Sequence, residues 1–115
     1  MDKKIYLNNL YDYYQDLFTD KQKEYYEDYY FNDLSLSEIA ENEEITRQAV
    51  RDNLKKGENN LFEYEEKLGF MKKAIMQEEK IEIILSELTK LEGSIQDKEK
   101  SKILQDVKNK LNGLV

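Results

Sequence analysis

Residues 34–54 read Leu34-Ser35-Leu36-Ser37-Glu38-Ile39-Ala40-Glu41-Asn42-Glu43-Glu44-Ile45-Thr46-Arg47-Gln48-Ala49-Val50-Arg51-Asp52-Asn53-Leu54. Ser35 with Glu38 three residues on is a capping box, and Leu34 and Ile39 stand where a hydrophobic staple closes over it. A helix therefore starts here, and Ala40 in it is small enough to let a second helix approach. Asn42 to Glu44 reads as a tight polar turn, with Ile45 as a buried anchor. Thr46 then caps a second helix, and Ile45 with Val50 makes a second staple. Two short helices, a small residue in the first and a threonine cap on the second, spell a helix-turn-helix over residues 34–56.

The second helix of such a motif enters the DNA major groove, with its first turns against base edges. Its outward positions here are Arg47, Gln48, Arg51 and Lys55, opposite Val50 and Leu54. Arginine pairs bidentately with guanine and glutamine with adenine. The Thr46 hydroxyl and the free amides of that first turn suit a backbone phosphate. The chain holds only two arginines, and both are on this face. Guanidinium is suited to planar bidentate recognition in a way that lysine is not. Residues 46–56 carry four bases against the single acid Asp52, although the whole chain has a net charge of −7.

Outward from the motif, helical periodicity dominates. Tyr6, Leu7, Leu10, Tyr11, Tyr14, Leu17 and Phe18 mark an amphipathic first helix. Thr19 and Gln22 form a capping box for a second, whose apolar surface is Tyr25, Tyr26, Tyr29, Tyr30 and Phe31. These rings could stack on nucleic-acid bases, but helical spacing and acidic flanks make them core. Gly69 stands where a C-terminal glycine cap belongs. Beyond it Met71, Ala74, Ile81, Ile84, Leu85, Leu88 and Leu91 form a broad stripe ending at Gly93. Ser94 with Asp97 gives another start signal, and Ile103, Leu104, Val107 and Leu111 line a last helix. The segment 70–92 would be about 34 Å long at about 1.5 Å per residue, against a radius of gyration of about 13 Å for a compact chain of this size. The stripe is read as core, and a homodimer seam is compatible with it. The expectation is an all-α protein with a helix-turn-helix domain over 1–68 and a C-terminal helical hairpin or extension over 69–115.

Composition bounds the chemistry. The 115 residues include no cysteine, histidine or proline. Disulfides, Cys/His zinc sites and catalysis by an imidazole or thiolate are excluded. The glycines at 57, 69, 93 and 113 are scattered, so there is no phosphate loop. Carboxylates interleave with lysines at i, i+4 as on a solvated face. No catalytic residue, metal or cofactor is expected. The N-terminus runs into a tyrosine-rich amphipathic segment without the apolar core of a signal peptide, and no stretch approaches eighteen apolar residues, so a cytoplasmic location and no membrane partner are expected. Charge is uneven: residues 1–33 carry eight acids and four bases, 34–64 seven and four, and 65–115 ten and ten. That acidity opposes a duplex and favours a basic protein partner.

Phe18-Thr19, Gln22, Glu24, Tyr30, Leu34-Ser35, Glu38-Ile39-Ala40 and Thr46 through Val50 together resemble region 4 of bacterial sigma factors, which reads the upstream promoter element. With the tyrosine-rich leader and the helical tail, nearly the whole chain resembles the small YlxM family of DNA-binding proteins. The resemblance implies a sigma-like helix-turn-helix bundle with sigma-type contact positions at Arg47, Gln48 and Arg51. It also implies a gene neighbouring those of the signal recognition particle GTPases, and a regulatory or accessory role in that pathway. The alternative it leaves is an accessory protein that does not bind DNA and instead binds the particle's GTPase or its RNA. Two features depart from the sigma pattern. Glu43 and Glu44 would sit near the phosphates, and nothing matches the other sigma regions, so the chain is not a working sigma factor.

Overall fold

Asp2 opens the first helix by accepting the amides of Lys4 and Ile5 on its carboxylate. The computed structural model describes residues 2–115, and among them the secondary structure is wholly helical. It comprises α1 (Lys3–Tyr14), a 3-10 turn (Gln15–Leu17), α2 (Asp20–Tyr30), α3 (Leu36–Glu43), α4 (Arg47–Leu68), α5 (Phe70–Glu92) and α6 (Lys98–Asn112). Contacts divide the chain into two units, the first ending at Met71 and the second running Lys72–Val115.

In the first unit α4 is the shared support, since α1, α2 and α3 all pack on it. Leu7, Leu10, Tyr11, Tyr14, Phe18 and Tyr26 cluster with Leu61 of α4 and with Met71. Tyr11 stacks on Tyr26 with ring centroids 4.3 Å apart, a pairing that adds about 0.5–1.5 kcal/mol to simple burial. The tyrosines of α1 and α2 are thus mainly core. Two of their hydroxyls are met by side chains, Tyr26 donating to Asn8 Oδ1 at 2.8 Å and Tyr30 to Glu58. Two rings of the expected apolar surface fall outside it, because Tyr29 and Phe31 are exposed. Leu17 departs likewise. The chain leaves the α-helix at Tyr14, and the 3-10 turn carries Leu17 into solvent and Phe18 into the core.

The start of α5 lacks a local Ser, Thr or Asp cap. Gly69, at φ 63°, ends α4, and the orphan amides that follow are met from α1 and α4. Tyr14 Oη accepts from Phe70 N at 3.1 Å and donates to Glu65 Oε1 at 2.5 Å, and the same Oε1 accepts from Met71 N at 3.1 Å. Burial first, then the bond to Glu65, raises the Tyr14 pKa.

In the second unit α6 begins later than the Ser94–Asp97 signal implies. Asp97 is the cap, accepting from Glu99 and Lys100, while Ser94 Oγ closes the end of α5 on Leu91 O. Ile81 and Leu104 are buried, but Ile84 and Leu91 of the first expected core stripe and Ile103 and Val107, half of the second, are exposed. Lys108 Nζ lies 3.3 Å from Glu92 Oε1.

Candidate nucleic-acid interface

Both turns that frame the interface are closed by their own residues. Ser35 Oγ accepts from Glu38 N and Glu38 Oε1 accepts from Ser35 N, each at 3.1 Å. Leu34, Ile39, Ala40, Ile45, Val50 and Leu54 share one apolar cluster with Tyr25, so both staples are in contact with the same core. The connection is tighter than the three-residue turn read at Asn42–Glu44. Helix α3 continues to Glu43, and the reversal falls on Glu44 alone, which adopts a left-handed backbone (φ 56°, ψ 41°). Ile45 N then donates to Ala40 O at 3.1 Å.

Thr46 Oγ1 accepts from Ala49 N at 3.0 Å, which leaves the Arg47 and Gln48 amides without a helical acceptor. The helix that starts here is no short element. It runs 22 residues to Leu68, and Gly57, buried within it, lets the Phe18 ring pass close. The first two turns are thereby held by Val50 and Leu54 at one end and Leu61 at the other.

Thr46, Arg47, Gln48, Arg51 and Lys55 are all exposed. Among the described residues no ion pair holds Arg47, Arg51 or Lys55. Gln48 is engaged, with Nε2 donating to Asp52 Oδ1 at 2.8 Å, so reading a base would require exchanging that bond. Of the two turn acids, Glu43 is drawn to α2, where Lys21 Nζ approaches to 2.6 Å and holds its carboxyl below the usual range. The hydrogen bond to Glu43 is also the main cause that pushes Glu24 up.

Arg51 and Lys55 also line a groove of about 360 Å³ together with Lys3, Tyr29 and Glu58. Lys4 lines its neighbour, of about 390 Å³, across Tyr29 and Tyr30. Lys3 is thus a cation of this surface that the sequence reading did not place there. No local spacing could have shown it, since α1 and α4 meet only through the tertiary fold.

The family described as "Putative helix-turn-helix protein, YlxM / p13 like" matches residues 1–107. A UPF0122 protein of Listeria welshimeri is 43% identical over 108 residues, covering 94% of this chain and 96% of that protein. One of Bacillus velezensis is 43% identical over 112 residues, covering 97% and 98%. One of Halalkalibacterium halodurans is 51% identical over 73 residues, covering 64% and 67%. An all-α fold with a Ser35-capped helix, a one-residue reversal and a Thr46-capped helix, matched over residues 1–107 by the family, makes this chain a member of the UPF0122 family of helix-turn-helix proteins.

Proposed function

We propose that the protein is a DNA-binding regulator that lays the start of α4 in a major groove. The carrying observation is the pair Arg47 and Arg51, the chain's only guanidinium groups, both exposed on the first turns of a Thr-capped helix and without an ion pair among the described residues. Arg51 and Gln48 read base edges. Thr46, the free amides, Arg47, Lys55 and Lys3 hold phosphates and so set register. Three phosphate-holding cations on a molecule of −7 net charge make for weak, salt-sensitive binding, with a log–log slope near −3 at about 0.9 per phosphate.

The test is fluorescence anisotropy on genomic duplex fragments at two or more salt concentrations. Lys3→Ala is expected to weaken binding uniformly and to flatten the slope by about one. Arg51→Ala is expected to relax preference at one base position. Binding that ignores salt, or that both substitutions leave intact, rejects the reading.

A second reading has its own observation. Asp20, Glu24, Glu27 and Asp28 line a groove of about 530 Å³ on α2, beside exposed Phe31. That acidic, partly apolar surface suits a basic protein, which supports a direct contact with the GTPase protein of the signal recognition particle, its RNA being the alternative partner through the basic face of α4. Capture from lysate that survives nuclease favours a direct protein contact. Loss on nuclease treatment favours an RNA bridge, and no capture of the particle in either case rejects the link.

A further inference from the structure

Most apolar side chains of the second unit have no cover. Within Lys72–Val115 only Ile81 and Leu104 are buried, whereas Ile83, Ile84, Leu91, Ile103, Val107 and Leu114 are 39% to 61% exposed. Apolar residues scattered singly over a surface need no explanation, but contiguous ones mark an interaction site. These recur along their helices, and Leu114 follows just past the end of α6. Lys100, Ile103, Val107, Lys110 and Leu114 follow one another in alternating steps of three and four, the heptad spacing of a helix seam. On α5, Glu87 stands one turn after Ile83 and Ile84 and one turn before Leu91.

The segments that carry the two ridges are of opposite charge, with Glu87 on the first ridge and Lys100 and Lys110 on the second. Residues 78–92 hold five glutamates against Lys80 and Lys90, while α6 holds five lysines against Glu99 and Asp106. The ion pair Lys108–Glu92 already joins these two helices in that sense. A partner able to satisfy an acidic-apolar ridge and a basic-apolar ridge at once needs one of each, and a second copy of the chain has them. Electrostatics also selects this end of the molecule. Residues 1–71 carry 17 acids and nine bases, and residues 72–115 carry eight and nine. Like charge opposes association through the first unit and leaves the second nearly neutral.

We propose that the protein self-associates through its second unit, the Ile103–Val107–Leu114 ridge of one copy lying on Ile83, Ile84 and Leu91 of the other. Lys100 and Lys110 then face the partner's Glu87. Twofold symmetry makes both contacts twice, as an isologous interface requires.

Size-exclusion chromatography with light scattering on the full chain, over a range of concentrations and without nucleic acid, tests this apart from DNA binding. The expected mass is twice the 13.8 kDa of one chain. Ile103→Glu and Ile84→Glu, with unchanged helical circular dichroism, are expected to raise the dissociation constant about tenfold or more. Glu87→Lys weakens the dimer, and adding Lys100→Glu and Lys110→Glu to it restores the wild-type constant. These surface charge changes keep the test alive if an apolar-to-charged variant fails to fold. A single-chain mass at every concentration, a dimer indifferent to all these substitutions, or one in which the charge swap restores nothing overturns the proposal.

Discussion

Tyr11 and Tyr14 occupy neighbouring turns of α1, are equally buried, and should answer opposite ways to loss of a hydroxyl. The Tyr11 hydroxyl is buried without a hydrogen bond of good geometry, the Glu27 carboxylate being a poorly aligned acceptor, so its desolvation is weakly compensated. Tyr11→Phe is expected to be neutral or to stabilise by up to about 1 kcal/mol. The Tyr14 hydroxyl links Glu65 to the Phe70 amide. Tyr14→Phe strands the Phe70 amide and removes one of the bonds to Glu65, and should cost about 1.5–3 kcal/mol, as for bonds to charged groups. Urea unfolding of the two variants side by side checks the contrast. Glu44 is a second test at this scale. Its left-handed backbone disfavours any side chain with a Cβ. Glu44→Gly should raise stability by about 1 kcal/mol, measurable as a higher midpoint at unchanged slope.

At the scale of elements, α4 is the member whose interior needs explaining. Gly57 costs about 1 kcal/mol against alanine in a helix, yet a Cβ placed there would lie 3.4 Å from Phe18 Cε2, ordinary van der Waals contact. Gly57→Ala is therefore expected to stabilise by about 0.5–1 kcal/mol, whereas Gly57→Leu should drive its side chain into Phe18 and destabilise, both read by thermal unfolding. The same helix shows what sequence could reveal. Capping boxes at Thr19 and Ser35, the Thr46 cap and the Gly69 stop depend on residues three or four apart, and each stands as written in the chain. The continuation of α4 past residue 56 was not legible, because its support is Phe18 and the α1 core rather than any local signal. The Tyr14–Glu65–Phe70 cap and the place of Lys3 beside Arg51 were hidden for the same reason, spanning dozens of residues. Leu17 and Glu44 departed because a single 3-10 or left-handed residue rotates everything after it, and a regular period has no term for that. Exposure of Arg47, Arg51 and Lys55 on α4 did follow from pattern, since Val50 and Leu54 fix the opposite face.

At the scale of the whole molecule, the core of the first unit is a titratable one. Burial is the main cause raising Tyr11, Tyr14, Tyr26 and Tyr30 above the ordinary value of 10.0, with Tyr11 pushed up to about 12. A group whose folded pKa is raised stabilises fully below its unfolded pKa, and that contribution is lost as pH rises towards the folded value. Stability is thus expected to hold up to about pH 10 and to fall steeply between 10 and 12. Unfolding and tyrosinate absorbance should move together in that window. A gradual titration in which the helical signal outlasts ionisation of the core rings would contradict it.

The bonds of Tyr14 to Glu65 and of Tyr30 to Glu58 have an optical consequence as well. With nine tyrosines and no tryptophan to drain their excitation, the chain emits as a tyrosine protein. The phenols of Tyr14 and Tyr30 donate to the carboxylates of Glu65 and Glu58, which are expected to quench their emission by accepting the proton of the excited ring. Releasing those two quenchers should brighten the protein, so it carries an intrinsic lamp for its own unfolding and needs no dye.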